Sequence, residues 1–137
     1  VSFIVFVLLD KFVFAHKVIQ KTLHIRARLI DVVVPMFAKY KITTFCAPPT
    51  MYRMLIKQDL SRFDLSSIHH ATTAGEALNP EVFYQFEKAT GLRIHEGFGQ
   101  TEMTLGIANL YGANIKPGAM GKPVPGYGID IVDADGN

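Results

Sequence analysis

The chain has 137 residues, enough for one small globular domain with an ordinary core. Its 49% apolar and 19% charged residues exclude an intrinsically disordered segment, and a net charge of +2 is too small to indicate a nucleic-acid-binding surface. A single cysteine, Cys46, excludes a disulfide framework and any multi-cysteine metal centre; in the apolar run Thr44-Phe45-Cys46-Ala47 it reads as a buried, inert thiol.

The chain opens on V-S-F-I-V-F-V-L-L, nine residues before Asp10-Lys11. That is far short of the roughly 20 needed to span a bilayer, and no basic segment precedes it, so a buried strand is predicted. Lys17, Lys21, Arg26 and Arg28 with His16 and His24 are interleaved with apolar residues and read as a solvated helix face. Met36, Phe37 and Tyr40 share one face of a helix end, and a strand follows over residues 42–47. Pro48-Pro49 stops that strand, and Thr50 is an N-cap candidate for a helix to about residue 58, with Met51, Met54 and Leu55 as an apolar stripe. A polar connector over 59–65 leads to a short strand over 68–73.

The next helix is the best defined. Asn79 suits the N-cap, Pro80 the first helical position and Glu81 the positive end of the helix dipole. Val82, Phe83, Phe86 and Ala89 make its apolar face, and Gly91 closes it. Residues 92–98 return as a strand that runs into Gly99-Gln100-Thr101-Glu102. Strand, helix and strand with short links predict a right-handed crossover joining a parallel pair. The loops over 74–79 and 99–102 then leave the carboxyl ends of adjacent strands, the edge at which open α/β sheets bind ligands.

Ten of the 11 glycines lie between Gly91 and Gly136, and residues 1–74 contain none. Regular structure is therefore expected first and tight turns later. The alternation through Ile129, Asp130 and Ile131 predicts antiparallel strands beyond Gly118. The closing D-A-D-G-N reads as a turn between two strands, so the chain is expected to be a piece of a longer protein.

The chemistry concentrates in Glu96-Gly97-Phe98-Gly99-Gln100-Thr101-Glu102. Here a ring can stack on a base, glycines let backbone come close, the Thr101 hydroxyl can donate to a phosphate, and Glu102 can hold Mg2+. Gly75-Glu76-Ala77 can lay a flat peptide plane against a purine, or simply make a tight turn before a helix. Phe98 with Ile94 also suits a core strand, and Thr101-Glu102 also suits a capped helix start. Other site types are absent. The G-F-G triplet lacks the third glycine of a dinucleotide fingerprint, and neither a lysine-bearing phosphate loop nor a serine nucleophile elbow occurs. His69 and His70 alternate across a strand and cannot chelate one metal, while His95 beside Glu96 suits a supporting hydrogen-bond role.

Three blocks, T-T-A-G-E-A-L-N-P at 72–80, E-G-F-G-Q-T-E at 96–102 and P-G-A-M-G-K-P-V-P-G at 117–126, follow K-I-T-T-F-C-A-P-P-T-M-Y-R at 41–53. In this order they resemble the adenylate-forming (AMP-dependent synthetase/ligase) superfamily, most closely its medium-chain acyl-CoA synthetases. The resemblance implies an α/β fragment of the large N-terminal domain, with a parallel sheet and crossover helices followed by short antiparallel strands. It implies an ATP-dependent acid–thiol ligase that uses Mg2+ and coenzyme A, with a medium-chain or similar carboxylic acid as substrate. Gly75, Glu76 and Ala77 would form one wall of an adenine slot, and Glu96, Gly97 and Phe98 the other. Gly99, Gln100 and Thr101 would approach the α-phosphate and acyl group, Glu102 would hold the metal, and Thr101 and Glu102 would be the catalytic pair.

In acetate-specific relatives a tryptophan stands where this chain has Gly99, so glycine implies room for a longer acid. Met103, Thr104 and Leu105 would line the same pocket. Residues 1–35 match the family poorly. Residues 36–137 would be a partial AMP-binding domain without the upstream phosphate loop or the lysine-bearing C-terminal domain, hence inactive alone. The setting expected is intracellular, cytoplasmic or (in a eukaryote) the mitochondrial matrix, with no transmembrane span. An adenylation domain that loads a carrier protein and a non-catalytic α/β binding fragment are the alternatives.

Overall fold

The computed structural model describes residues 7–8 and 32–136. The basic stretch from His16 to Arg28 and most of the opening apolar strand lie outside the described residues. The part of that strand that is described, β1 (Val7–Leu8), is extended and pairs antiparallel with β2 (Thr44–Cys46).

The described elements continue as α1 (Val34–Tyr40), β2, α2 (Pro49–Leu55), a 3-10 turn (Leu60–Arg62), β3 (His70–Ala74), α3 (Pro80–Thr90), β4 (Ile94–Phe98), β5 (Ile107–Ala108) and β6 (Lys122–Pro123). The strands form one sheet in the order β1-β2-β3-β4-β5-β6. β2, β3 and β4 run parallel, with Phe45 beside Ala71 and Ala71 beside Ile94; β5 and β6 continue antiparallel. The expected sequence of parallel strands with helical links, then short antiparallel strands, is the architecture found.

Helices cover one face of the sheet. Alternation puts Phe45, Ala71, Thr73, Ile94 and Glu96 inward, where the apolar ones meet Val34 and Phe37 of α1, Tyr52 and Leu55 of α2, and Val82, Phe83 and Phe86 of α3. An edge-to-face chain of rings ties three helices to β2. Phe37 lies 5.0 Å from Phe45, Phe45 5.4 Å from Tyr52, and Tyr52 5.0 Å from Phe86, a geometry favoured by the positive ring edge over the negative ring face. The opposite face carries Thr44, Cys46, His70, Thr72, His95 and Gly97, all half-buried. Cys46 is therefore half-buried, not buried as expected, because it points away from the helices.

α3 forms as its local signals require. The Asn79 side chain accepts from the Glu81 amide at 2.8 Å, Pro80 opens the helix, and Gly91 ends it in the left-handed conformation at φ 73°. Ala89 is exposed, contrary to expectation, because this helix buries only Val82, Phe83 and Phe86. α2 begins two residues earlier than expected. Pro48 stands at its N-cap without a side-chain bond, Pro49 supplies a preset first turn, and Thr50 turns its hydroxyl elsewhere. Its buried residues are Pro49, Tyr52 and Leu55, with Met51 and Met54 only half-buried. Tyr40 is exposed as well, since α1 buries Val34 and Phe37.

The strands predicted around residues 129–131 do not form. Ile131 is 94% exposed, and the antiparallel pairing falls instead on Ile107–Ala108 with Lys122–Pro123. Backbone bonds extend that short ladder: Asn109 N donates to Glu96 O at 2.9 Å, and Val124 N to Gly106 O at 2.9 Å.

Candidate functional site

β3 and β4 are neighbours in parallel register with Ala74 beside Gly97. The loop that begins at Gly75 and the loop that begins at Gly99 thus leave the same sheet edge, one strand apart. Gly75 adopts φ 91°, a conformation an L side chain rarely takes, and Glu76 and Ala77 after it are exposed. Phe98 is half-buried at the end of β4, and Gln100, Thr101 and Glu102 are exposed beyond it. The structure therefore brings Gly75, Glu76, Ala77, Gly97, Phe98, Gly99, Gln100, Thr101 and Glu102 to one edge.

Glu96 differs from its neighbours. It is 4% exposed on the helix-covered face, and its Oε1 accepts from the Leu78 amide at 2.9 Å. Its side chain meets the 75–78 loop from the helix-covered side.

Glu76 is held from α2. Thr50 Oγ1 donates to Glu76 Oε2 at 3.2 Å, Arg53 NH2 lies 3.3 Å from the same oxygen, and Arg53 NH2 donates to Thr50 Oγ1 at 2.6 Å. Thr50 and Arg53 stand three apart on one helix face, a spacing visible in the sequence. Their partner 23 and more residues away is not, because only the packing of α2 beside β3 brings it near.

The second loop turns tightly. Met103 N donates to Gln100 O at 3.2 Å, Gly106 N to Phe98 O at 3.0 Å, and Thr104 takes the uncommon φ of 38°. A Cβ built on Gly99 would sit 1.5 Å from the Thr104 carbonyl oxygen. Glycine at 99 thus has its reason in the turn itself: the direction a side chain would take is filled by backbone, and does not open into an acyl pocket. Thr104 Oγ1 and the Tyr127 hydroxyl, 2.8 Å apart, tie the turn to the C-terminal segment. Tyr127 was not anticipated as part of this region, and its G-Y dipeptide carries no distinctive signal.

His95 is hydrogen-bonded, as expected. Its Nδ1 hydrogen-bonds with Asn109 O at 2.8 Å, and its ring stacks on Tyr111 and meets His70 edge-on at 4.7 Å. Burial and then the neighbouring His95 lower the His70 pKa from its usual value.

The donor set bears on metal binding. Among the described residues no three His, Cys, Asp or Glu side chains gather as a ligand cage. Mg2+ in nucleotide sites is held by one or two carboxylates plus phosphate oxygens, so a lone exposed Glu102 at the sheet edge fits such an ion.

The fold is that of an open α/β sheet with two adjacent loops at its carboxyl edge, the class in which small ligands bind between such loops. Within that class the chain belongs to the AMP-binding enzyme family, which it matches over residues 13–137. It is 47% identical over 104 residues to rat acyl-coenzyme A synthetase ACSM3, mitochondrial, and 48% identical over 107 residues to human acyl-coenzyme A synthetase ACSM4, mitochondrial. These alignments cover 76% and 78% of this chain and 18% of each relative; the chain spans less than a fifth of their length. Among solved structures it is similar to the anthranilate CoA ligase AuaEII in complex with anthranoyl-AMP, with TM-score 0.73 and 38% identity over 80% of this chain and 22% of that one. A benzoate CoA ligase from Burkholderia xenovorans LB400 gives TM-score 0.67 and 32% identity, covering 78% of this chain and 22% of the ligase. No helix among the described residues is long and apolar enough to cross a membrane.

Proposed function

We propose that the chain is part of an AMP-forming acid–thiol ligase, an acyl-CoA synthetase, and contributes one side of its nucleotide site. The observation that carries this reading is the convergence of the 75–78 and 99–102 loops at one edge of the parallel β3–β4 pair. In the proposed reaction an acid carboxylate oxygen attacks the α-phosphorus of ATP and pyrophosphate leaves. The thiol of coenzyme A then attacks the acyl carbon, AMP leaves with the electron pair, and the thiol proton passes to solvent. Coenzyme A is preferred to a carrier protein as acceptor because the similar proteins are named acyl-coenzyme A synthetases and CoA ligases. A medium-chain or similar acid rests on the family resemblance, since Gly99 is accounted for by its turn.

This chain's residues act by positioning and charge neutralisation, the dominant contributions in phosphoryl-type transfer. Gly75, Glu76 and Ala77 face one side of the adenine, and Gly97 with the Phe98 ring faces the other. A stacked base gains about 1–3 kcal/mol from such an aromatic platform. Gly99 and Gln100 bring the turn close to the α-phosphate, and the exposed Thr101 hydroxyl donates to one of its oxygens. Mg2+ supplies neutralisation of phosphate charge when bound, and Glu102 is the residue that would hold it.

The test is acid-dependent pyrophosphate release from ATP by the full-length protein that contains this segment, followed by AMP release on addition of coenzyme A. Thr101→Ala is expected to lower kcat/KM by roughly tenfold to a hundredfold, the loss of about 1.5–3 kcal/mol for a hydrogen bond to a charged group. Unchanged turnover in that variant removes Thr101 from the mechanism. Absence of acid-dependent pyrophosphate release in the wild type removes the ligase reading.

A further inference from the structure

The 75–78 loop is anchored at two points of different strength. On the outside, the Glu76 carboxylate meets Thr50 and Arg53 at 3.2 and 3.3 Å, with Glu76 and Arg53 exposed to water and the contacts therefore weakened by solvent and salt. On the inside, the Leu78 amide donates to Glu96 Oε1 at 2.9 Å, with Leu78 and Glu96 both buried. A hydrogen bond to a carboxylate in a water-poor interior is among the stronger kinds, and the group is costly to bury without a use. Thr73 deepens the point. It is the register partner of Glu96 on β4, it is 2% exposed, and its hydroxyl has no hydrogen-bond partner among the described residues. Two polar side chains thus lie inside the helix-covered face directly beneath the loop, where apolar residues would stabilise the core more.

We infer that Glu96 is a positioning residue for the nucleotide: its buried carboxylate, acting through the Leu78 amide, fixes where residues 75–77 stand against the bound base. The inference rests on the reading of that loop as the adenine wall. It changes the role of Glu96 from a group that touches the base to one that sets the surface the base touches. It also orders the two anchors, since the screened Arg53–Glu76 contact holds the loop less firmly than the interior one.

The experiment uses the full-length protein with Glu96→Gln and Glu96→Ala. Glutamine keeps a carbonyl acceptor for the Leu78 amide; alanine removes it. The expected result is a KM for ATP raised about tenfold or more in the alanine variant, with kcat and the KM for the acid changed less, and most of that loss recovered by glutamine. Glutamine as impaired as alanine, or an unchanged KM for ATP in the alanine variant, overturns the proposal. Should the alanine variant fail to fold, Glu96→Asp retains the charge while drawing the acceptor back by one methylene, and the same comparison is made with it.

Hydrogen exchange at the Leu78 amide, measured without nucleotide, reads the anchor independently. Exchange is expected to be slow in wild type and Glu96→Gln and fast in Glu96→Ala. Equal exchange in all three overturns the anchor itself. If the wild type consumes no ATP, the nucleotide reading of the loop falls, and exchange alone then decides whether Glu96 holds the loop.

Discussion

Tyr52 and His70 are the two side chains whose surroundings make the clearest demands on pH. The Tyr52 ring is wedged between Phe45 and Phe86, and its hydroxyl donates to Thr72 O at 2.9 Å, with Phe45 O a longer 3.3 Å away. Burial, followed by the nearby Cys46, pushes its pKa well above the usual tyrosine range. Its stabilising contribution is therefore complete below about pH 10 and is lost as pH rises past the unfolded value. Tyr52→Phe keeps the rings and is expected to cost about 1 kcal/mol in urea unfolding at neutral pH, for the lost hydroxyl bond, while softening the alkaline decline. His70 works in the opposite direction. Its pKa is lowered by burial and by His95, and its Nε2 is buried without a partner, so the folded state favours the neutral ring. Stability is then full above about pH 6.5 and falls as pH drops below it, because the unfolded chain takes up the proton first. Thermal melts from pH 8 to 5 should show a shallower acid slope in His70→Phe than in wild type; identical slopes would exclude this histidine as the cause.

At the scale of elements, α3 and the β4–β5 turn show how local chemistry sets local structure. Asn79→Ala removes the side chain that holds the Glu81 amide and is expected to cost about 1 kcal/mol in an unfolding titration. The turn from Gly99 to Gly106 is less forgiving. Any β-carbon at 99 meets the Thr104 carbonyl, so Gly99→Ala must open the turn and displace Thr101 and Glu102. In the full-length protein, the proposed ligase turnover should fall by about tenfold or more, the order expected for a misplaced positioning group. Gly128→Ala, where a β-carbon meets nothing within 4 Å, should remain within about 0.5 kcal/mol of wild type and serves as the control. Much of α3 was legible because capping depends on neighbours two or three residues away. The start of α2 was misjudged because Thr50 has the chemistry of a cap but is drawn to Glu76 instead.

For the molecule as a whole, the sheet has one face sealed by three helices and one face of half-buried polar and small residues. The candidate site sits at the edge of that sheet, where in the proposed reading Thr101 would meet phosphate and Glu102 would hold the metal. The isolated chain is accordingly expected to release no pyrophosphate from ATP with any acid offered, while the full-length protein does. Activity in the isolated chain would contradict the assignment of only one side of the nucleotide site to it.

What the sequence determined by itself was whatever depends on short separations. That includes the cap and stop of α3, the parallel strand–helix–strand unit that brings two loops to one edge, the turn-rich last third, and the order of the motif blocks. What only the tertiary structure decided was how those pieces meet. Glu96 turns inward to Leu78, Thr50 and Arg53 reach Glu76, and Tyr127 reaches Thr104. The two-residue strands β5 and β6 likewise owe their existence to pairing, not to any pattern of their own. The physical reason is common to all of these. Propensity and capping act along the chain, whereas a hydrogen bond between residues some twenty apart exists only once packing has placed donor and acceptor within reach.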